Sequence, residues 1–420
     1  MLLTMETLVD RYGKLAVRVA LNLQPGQRLL IIGPLANGGV SLEAAPLVRA
    51  VAAQAYAAGA SYVEALWGDE ALQLARFRHA PADSFDLGSD WLGGALAAHA
   101  EAGHAVLSIS CNDPDLLHGQ PMDRLGAVQK AVARDMRRFR DQLGKNRMNW
   151  AVIAAPSDAW AARVFPTLGT GAAKAALWDA IASLVRLNQP NPVAAWEAHL
   201  AALAARRDFL NARRYAALRY SGPGTDLTVG LAEAHEWVSG RSVSAAGFPF
   251  APNLPTEEVF TMPDAGRVDG VVTATKPLSH GGTLIDGFSL RFEGGRVVSA
   301  SAREGEGMLQ QLLATDPGAS RLGEVALVPH SSPVAQSGLL FYNTLFDENA
   351  ASHLALGSAY RFTRTGGESM TDEAFEAAGG NRSTTHVDFM IGSAALDIDG
   401  VDAAGRAEPL MRAGEWTTAL

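Results

Sequence analysis

Apolar residues at Leu8, Tyr12, Leu15, Val19 and Leu23 recur at helical spacing, and Pro25-Gly26 ends that run. The short apolar stretch RLLIIG (28–33) predicts a buried strand. A second helix is expected from Ser41, a suitable N-cap, to the terminating Gly59. SYVEALW then reads as a strand. HAVLSIS (104–110) and WAVIAA (150–155) repeat the theme on either side of a long helix near 121–143. Strands alternating with helices imply a mostly parallel sheet covered on both faces.

Residues 170–211 predict two further helices, and then the pattern changes. From about Tyr215 the chain breaks into short strands punctuated by Gly, Pro and Asp: RYSGPGTDLTVGL, GRVDGVVTAT and GTLIDGFSLRFEGGRVVSA. FEGGRVV predicts a hairpin through Gly294-Gly295. The expectation is therefore two domains, an α/β N-terminal domain over 1–211 and a strand-rich α+β C-terminal domain over 212–420.

Composition narrows the function classes. With 48% hydrophobic and 19% charged residues, the 420-residue chain is a packed globular protein rather than a disordered one. Its net charge of -9 argues against nucleic acid as a partner. The one dense basic run, Arg134 to Arg147, alternates with apolar residues and reads as a solvated helix face. No apolar stretch reaches the roughly 18 residues of a membrane span. The single cysteine, Cys111, excludes an intrachain disulfide and fits a cytoplasmic location. The opening MLLTMETLVDRYGK has acids where a signal peptide has bases. Neither GxGxxG nor a Walker loop is present, so no nucleotide fingerprint is found.

Four stretches of the second half set acids or histidines against apolar runs. They are NLPTEEVF with Glu257 and Glu258, RLGEVALV with Glu324, FDENAASHLALGSAY with Asp347, Glu348, His353 and Tyr360, and NRSTTHVDFMIGS with His386 and Asp388. On a strand, His386 and Asp388 share one face while Val387, Phe389 and Ile391 share the other. Buried carboxylates are costly unless paired or bound to a cation, and converging ones repel. Oxygen and imidazole donors suit zinc, cobalt, manganese or iron. Each residue also has an ordinary reading. Glu324 fits a strand edge, Glu257 and Glu258 fit a helix's first turn, and His353 and Tyr360 fit the core. Spacing alone does not bring the four stretches together, so both readings stand on the residues alone.

Taken in order, NLPTEEVFTMPD, RVDGVVTATKPLSHGGTLIDGFSLRFEGGRVV, RLGEVALV, LFDENAASHLALGSAY and NRSTTHVDFMIGS resemble the thermophilic aminopeptidase family of metallopeptidases. YGKLAVRVALNLQPGQRLLI and AYAAGASYV are similar to that family's first domain. The resemblance implies a C-terminal domain carrying a site for two divalent ions, zinc or cobalt first and magnesium or manganese next. It implies an aminopeptidase that removes the N-terminal residue of short peptides, acting as a homodimer. Carried over by residue, the ligands would be Glu258, Glu324, Glu348, His353, His386 and Asp388, with Glu324 shared between the ions. Tyr360 would be the catalytic phenol, and Glu257 is a candidate proton carrier. A different chemistry is also open: the fold resembles certain ring-cleaving dioxygenases, in which His353, His386 and Asp388 would hold one iron and cleave a hydroxylated pyridine. Glu258 and Glu324 separate the two, because a single-iron enzyme has no need of them.

Overall fold

The computed structural model describes residues 4–34, 39–280 and 283–418. They divide into two compact units: the residues through His199 together with Arg241–Pro255, and Leu200–Gly240 together with Thr256–Leu420.

The first unit is an α/β domain. Its strands β1 (Arg28–Ile32), β2 (Tyr62–Ala65), β3 (Ala105–Ser110) and β4 (Trp150–Ala154) are all parallel, in the spatial order β2-β1-β3-β4. Leu29, Ile31, Leu107, Ile109 and Ile153 are fully or almost fully buried, and Leu30, Ile32 and Val106 pack on helix residues such as Leu96, Ala100 and Phe139. Strands covered on both faces must be largely apolar on both, as β1, β3 and β4 are, whereas the edge strand β2 has no buried residue. The helix expected near 121–143 is two helices, Met122–Asp135 and Arg137–Gly144. They part at Met136, whose backbone leaves helical geometry as its side chain enters the core beside Leu96 and Phe139. Arg134 and Arg138 on that stretch are 60% and 67% exposed, as a solvated face requires.

Two features move the division away from residue 211/212. Helix Pro192–Arg213 serves two cores. Trp196 is buried, its Nε1 donating to the Val185 carbonyl at 2.7 Å, whereas Leu203 and Leu210 belong to the core of the second unit. Residues 241–255 then return to the first unit along the outer edge of β4. There the Val152 N–H donates to the Pro252 carbonyl at 2.7 Å, and the Leu254 N–H to the Val152 carbonyl at 3.1 Å. An open sheet edge is thereby covered. The change of pattern near Tyr215 marks where helix gives way to strand, which is not where one core gives way to the other.

The second unit is strand-rich. Eight strands form an antiparallel sheet in the order Arg296–Ser301, Ser289–Glu293, Pro263–Thr273, Thr225–Leu231, Ala217–Gly222, Asp397–Val401, Ala407–Arg412 and Glu415–Trp416. The first two are joined through Gly294-Gly295, where the hairpin was expected. A second antiparallel sheet holds β5 (Val238–Ser239), β6 (Val259–Thr261), β7 (Leu322–Leu327), β8 (His353–Gly357) and β9 (His386–Met390), side by side in that order. Leu218, Leu227, Val268, Leu290 and Phe292 of the larger sheet share one core with Val325, Leu327, Leu354, Leu356 and Phe389 of the smaller. One face of the smaller sheet is thus committed to apolar packing, and its other face is left for polar chemistry. Among the described residues no helix is long and apolar enough to cross a membrane.

Candidate metal centre

Strand register sets the polar face. Glu324 on β7 is opposite Ala355 on β8, and Ala355 is opposite Asp388 on β9. Residues paired across strands stand on one face, and so do residues two apart along a strand. His353, two before Ala355, and His386, two before Asp388, therefore join Glu324 and Asp388. The intervening Val325, Leu354 and Phe389 point into the core. Ala355 keeps the middle of the row small. The β7–β8 pairing shifts register between Leu322 and Glu324, at Gly323. A Cβ at Gly323 would run into the Gly357 and Ser358 carbonyls, and Gly357 itself has φ +106°. This bulge sets the direction in which Glu324 leaves its strand. Glu258 arrives from irregular chain leading into β6, not from a helix's first turn.

The side chains meet. His353 Nε2 lies 3.2 Å from Glu258 Oε2 and 3.6 Å from Glu324 Oε1. His386 Nε2 lies 3.7 Å from Glu324 Oε2 and 3.4 Å from Asp388 Oδ1. Glu258, Glu324 and His353 form one group of three donors, and Glu324, His386 and Asp388 form another, each with donor atoms within 4.8 Å of one another. Glu324 belongs to both. Each imidazole is oriented by its other nitrogen. His353 Nδ1 lies 3.1 Å from the Ala351 carbonyl, and His386 Nδ1 lies 2.7 Å from the Ser358 carbonyl. Nδ1 of each ring thus carries a proton, and Nε2 is the nitrogen turned toward the carboxylates.

Without a cation these groups are in conflict. Burial pushes the Glu324 carboxyl up to about 7, and the Asp388 and Glu258 charges add to the rise against the pull of the two histidines. Burial opposes charge on both histidines, yet Glu258 and Glu324 raise His353 well above its ordinary value, and Asp388 and Glu324 raise His386 to about 10. Burial works against Asp388 too, but the neighbouring His386 outweighs it and holds that carboxyl below its ordinary value. Asp388 Oδ1 is buried and has no hydrogen-bond donor, since its 3.4 Å approach to His386 is not aligned as one. A buried carboxylate oxygen without a donor, among other carboxylates, is what a bound cation would relieve.

The remaining predicted residues sit at different distances. Glu348, in the short helical turn Glu348–Ala350, joins neither group of three. The residue is half-buried, but its carboxyl is desolvated; that burial, then the Glu258 and Asp388 charges, raise it well above the carboxylate range. Tyr360 follows β8, with its ring 4.7 Å from the His386 ring and stacked on Phe362 at 5.2 Å. The residue keeps 42% of its surface exposed, while desolvation at the phenol, then the Glu324 and Asp388 charges, raise its pKa well above 10. Glu257 joins neither group, and its N–H donates to Asn349 Oδ1 at 2.7 Å. Asp347 is structural: it accepts the Phe341 and Asn343 N–H groups at 2.8 and 3.0 Å. Sequence reasoning passed over Asn349, which ties the Glu258 segment to the turn carrying Glu348. An amide set directly after the acidic pair Asp347-Glu348 was the available signal.

The donors of the two groups are three carboxylates and two imidazoles, with no thiol among them. That set, the shared carboxylate and the two fixed Nε2 atoms fit hard or borderline divalent cations. Comparison with known proteins agrees in class. Residues 5–416 match the family model described as thermophilic metalloprotease (M29). Aminopeptidase 2 of Geobacillus stearothermophilus is 46% identical over 415 residues, covering 99% of each chain. Aminopeptidase T of Thermus thermophilus is 45% identical over 408 residues, covering 97% of this chain and 98% of that one. The structure titled wild-type AmpT from Thermus thermophilus superposes with a TM-score of 0.92 at 44% identity, over 99% of this chain and all of the other. The chain belongs to the thermophilic metalloprotease (M29) family.

Proposed function

We propose that this metal-dependent aminopeptidase holds two divalent ions with Glu258, Glu324, Glu348, His353, His386 and Asp388, and removes the N-terminal residue of short peptides. The observation that carries the reading is the pair of three-donor groups sharing Glu324. One carboxylate within reach of two clusters is the arrangement that a bridging ligand needs. Zinc or cobalt suits the imidazole and carboxylate donors, with magnesium or manganese as hard alternatives. When bound, such ions polarise a carbonyl and bring the pKa of a water toward neutrality.

The chain's own groups do the rest. The Ala351 and Ser358 carbonyls hold both imidazoles by Nδ1, so that each Nε2 is aimed at the carboxylates and offers its lone pair once a cation takes the place of its proton. Tyr360 stays protonated at neutral pH, so its phenol is a donor and not an anion. Placed against the His386 ring, it is suited to donate to the oxyanion that develops on the scissile carbonyl. One of the site's carboxylates can also receive the substrate's α-ammonium group, which restricts cleavage to the chain end.

The test is a metal analysis of protein purified without added metal, with the same sample assayed on aminoacyl p-nitroanilides. Close to two divalent ions per chain, with activity lost to chelator and restored by zinc or cobalt, is the expected result. About one iron per chain and no peptidase activity would overturn the reading in favour of the dioxygenase. No observation favours that second chemistry. Glu258 at 3.2 Å from His353 Nε2 adds a carboxylate that a two-histidine, one-carboxylate iron site does not use.

A further inference from the structure

A cavity of about 740 Å³ opens in the second unit, and none of the predicted ligands lines it. Arg267, Arg296, Arg321, Arg364 and Arg382 line it against three carboxylates, Glu233, Asp264 and Glu376. The wall is thus cationic in a chain whose net charge is -9. Two of the arginines are neutralised. Arg267 pairs with Asp264 at 2.8 Å, and Arg382 with Asp372 and Glu376 at 2.6 and 3.1 Å. The other three have no carboxylate partner among the described residues. Arg296 donates to Ser320 Oγ at 2.9 Å. Arg321 donates to the Ala265 carbonyl at 2.7 Å, and Arg364 to the Thr365 carbonyl at 3.0 Å. The Nε of Arg364 is buried without any acceptor. A guanidinium carries five N–H donors, so most of these donors remain free. Burial, then the nearby Arg296 charge, lower the Arg321 pKa.

We propose that this cavity binds a small multivalent oxyanion, of phosphate or polycarboxylate type, at a site separate from the predicted metal centre. Guanidinium forks match the paired oxygens of both anions, and a dianion balances the surplus charge of the wall. The position gives the site a second interest. Arg321 is three residues before Glu324, Arg364 four after Tyr360, and Arg382 four before His386. Three residues of chain span at most about 10 Å, so the cavity lies at the end of the smaller sheet where these strands begin or finish. Asn381, also in its wall, donates to the Gly318 and Gly357 carbonyls at 2.8 and 2.6 Å.

Calorimetric titration of the intact protein with inorganic phosphate and with tricarballylate, against chloride at equal ionic strength, tests the proposal. Saturable binding of one or both anions is expected, one per chain. Arg296→Ala and Arg364→Ala should each weaken it about tenfold or more. Glu324→Gln, which disables the predicted metal centre, should leave it intact. Arg296 is exposed and uses its side chain for one described hydrogen bond, so its variant tests binding without a folding defect. Phosphate binding alone identifies a phosphate site, and tricarballylate binding alone a carboxylate site. Three results would overturn the proposal. One is no saturable binding of either anion. Another is binding lost in Glu324→Gln but kept in the arginine variants, which places the anion on the metals. The third is an Arg296→Ala protein with unchanged affinity but altered oligomeric state, which assigns the cavity to carboxylates of a second copy.

Discussion

Two buried polar clusters, one in each unit, are built on opposite principles. In the first unit Asn149 is wholly buried, yet its amide is satisfied by the chain itself. Its Nδ2 donates to the Leu21 carbonyl at 2.8 Å and to Gln27 Oε1 at 3.1 Å, and its Oδ1 accepts from Gln27 Nε2 at 2.8 Å. In the second unit Glu258, Glu324 and His353 are buried and Asp388 is nearly so, but they are not mutually satisfied. Glu324 is pushed up to about 7, and Asp388 Oδ1 lacks a donor. A neutral network closed on itself is a structural device, and removing it should cost stability. A charged cluster left open asks for something the polypeptide does not supply, and removing a charge from it should cost function while relieving the fold.

The sharpest test of that contrast is Glu324→Gln, which keeps the shape and removes the charge common to both groups. Activity on an aminoacyl p-nitroanilide should fall by roughly 10³-fold or more in kcat/KM, with metal content reduced. The metal-free variant should melt at a higher temperature than the metal-free parent, because one uncompensated buried charge is gone. A lower melting temperature would make Glu324 a structural residue like Asn149. Next in size is Tyr360→Phe. Loss of one donor to a developing oxyanion costs about 10²–10³ in kcat. Metal content should not change; if metal is lost with the hydroxyl, Tyr360 is a ligand rather than a donor.

The fold and the site were legible to different depths. Periodicity found the strands 28–33, 104–110 and 150–155 and the hairpin at Gly294-Gly295, since each is a local pattern. It missed the break at Met136, because the residues before and after it keep the same helical spacing. It also missed the return of residues 241–255 to the first unit, which depends on an edge pairing with β4 that no local signal records. For the site, alternation alone put His386 and Asp388 on one face with Phe389 and Ile391 on the other, as the structure has it. Convergence with Glu258, Glu324 and His353 was beyond spacing and came from family resemblance. It rests on two cross-strand pairings, Glu324 with Ala355 and Ala355 with Asp388, and on the bulge at Gly323.

The two clusters should also differ in their response to pH. Glu324 is raised in the fold from an ordinary 4.5 to about 7. A group raised on folding stabilises the folded state below its unfolded pKa, and that contribution is lost as pH rises through the folded value. Its loss is on the order of 3 kcal/mol by the energy of a pKa shift. Glu348 has the same sign. His386, raised to about 10, shares the sign but loses its contribution at higher pH. Asp388 has the opposite sign and acts only as pH falls through the acid range. Chelator-treated protein should therefore lose melting temperature between about pH 5 and pH 7 in scanning calorimetry. Metal-loaded protein should not, since cations replace protons as the partners of these carboxylates. Parallel curves with and without metal would show that the carboxylates do not bind it.

The smallest expected effect closes the comparison from the other side. Asn149→Ala removes the amide that joins the Leu21 carbonyl to Gln27. It leaves a buried carbonyl and a buried amide short of partners, at about 1–3 kcal/mol. Denaturant unfolding should read that loss as a lower midpoint with an unchanged slope. The melting temperature of the variant should fall by the same amount at pH 5 and pH 7, because no charge is involved. Metal content and kcat should equal those of the parent. A variant that lost activity in proportion to stability would erase the distinction between a cluster that holds the fold and one that the fold holds in readiness for a cation.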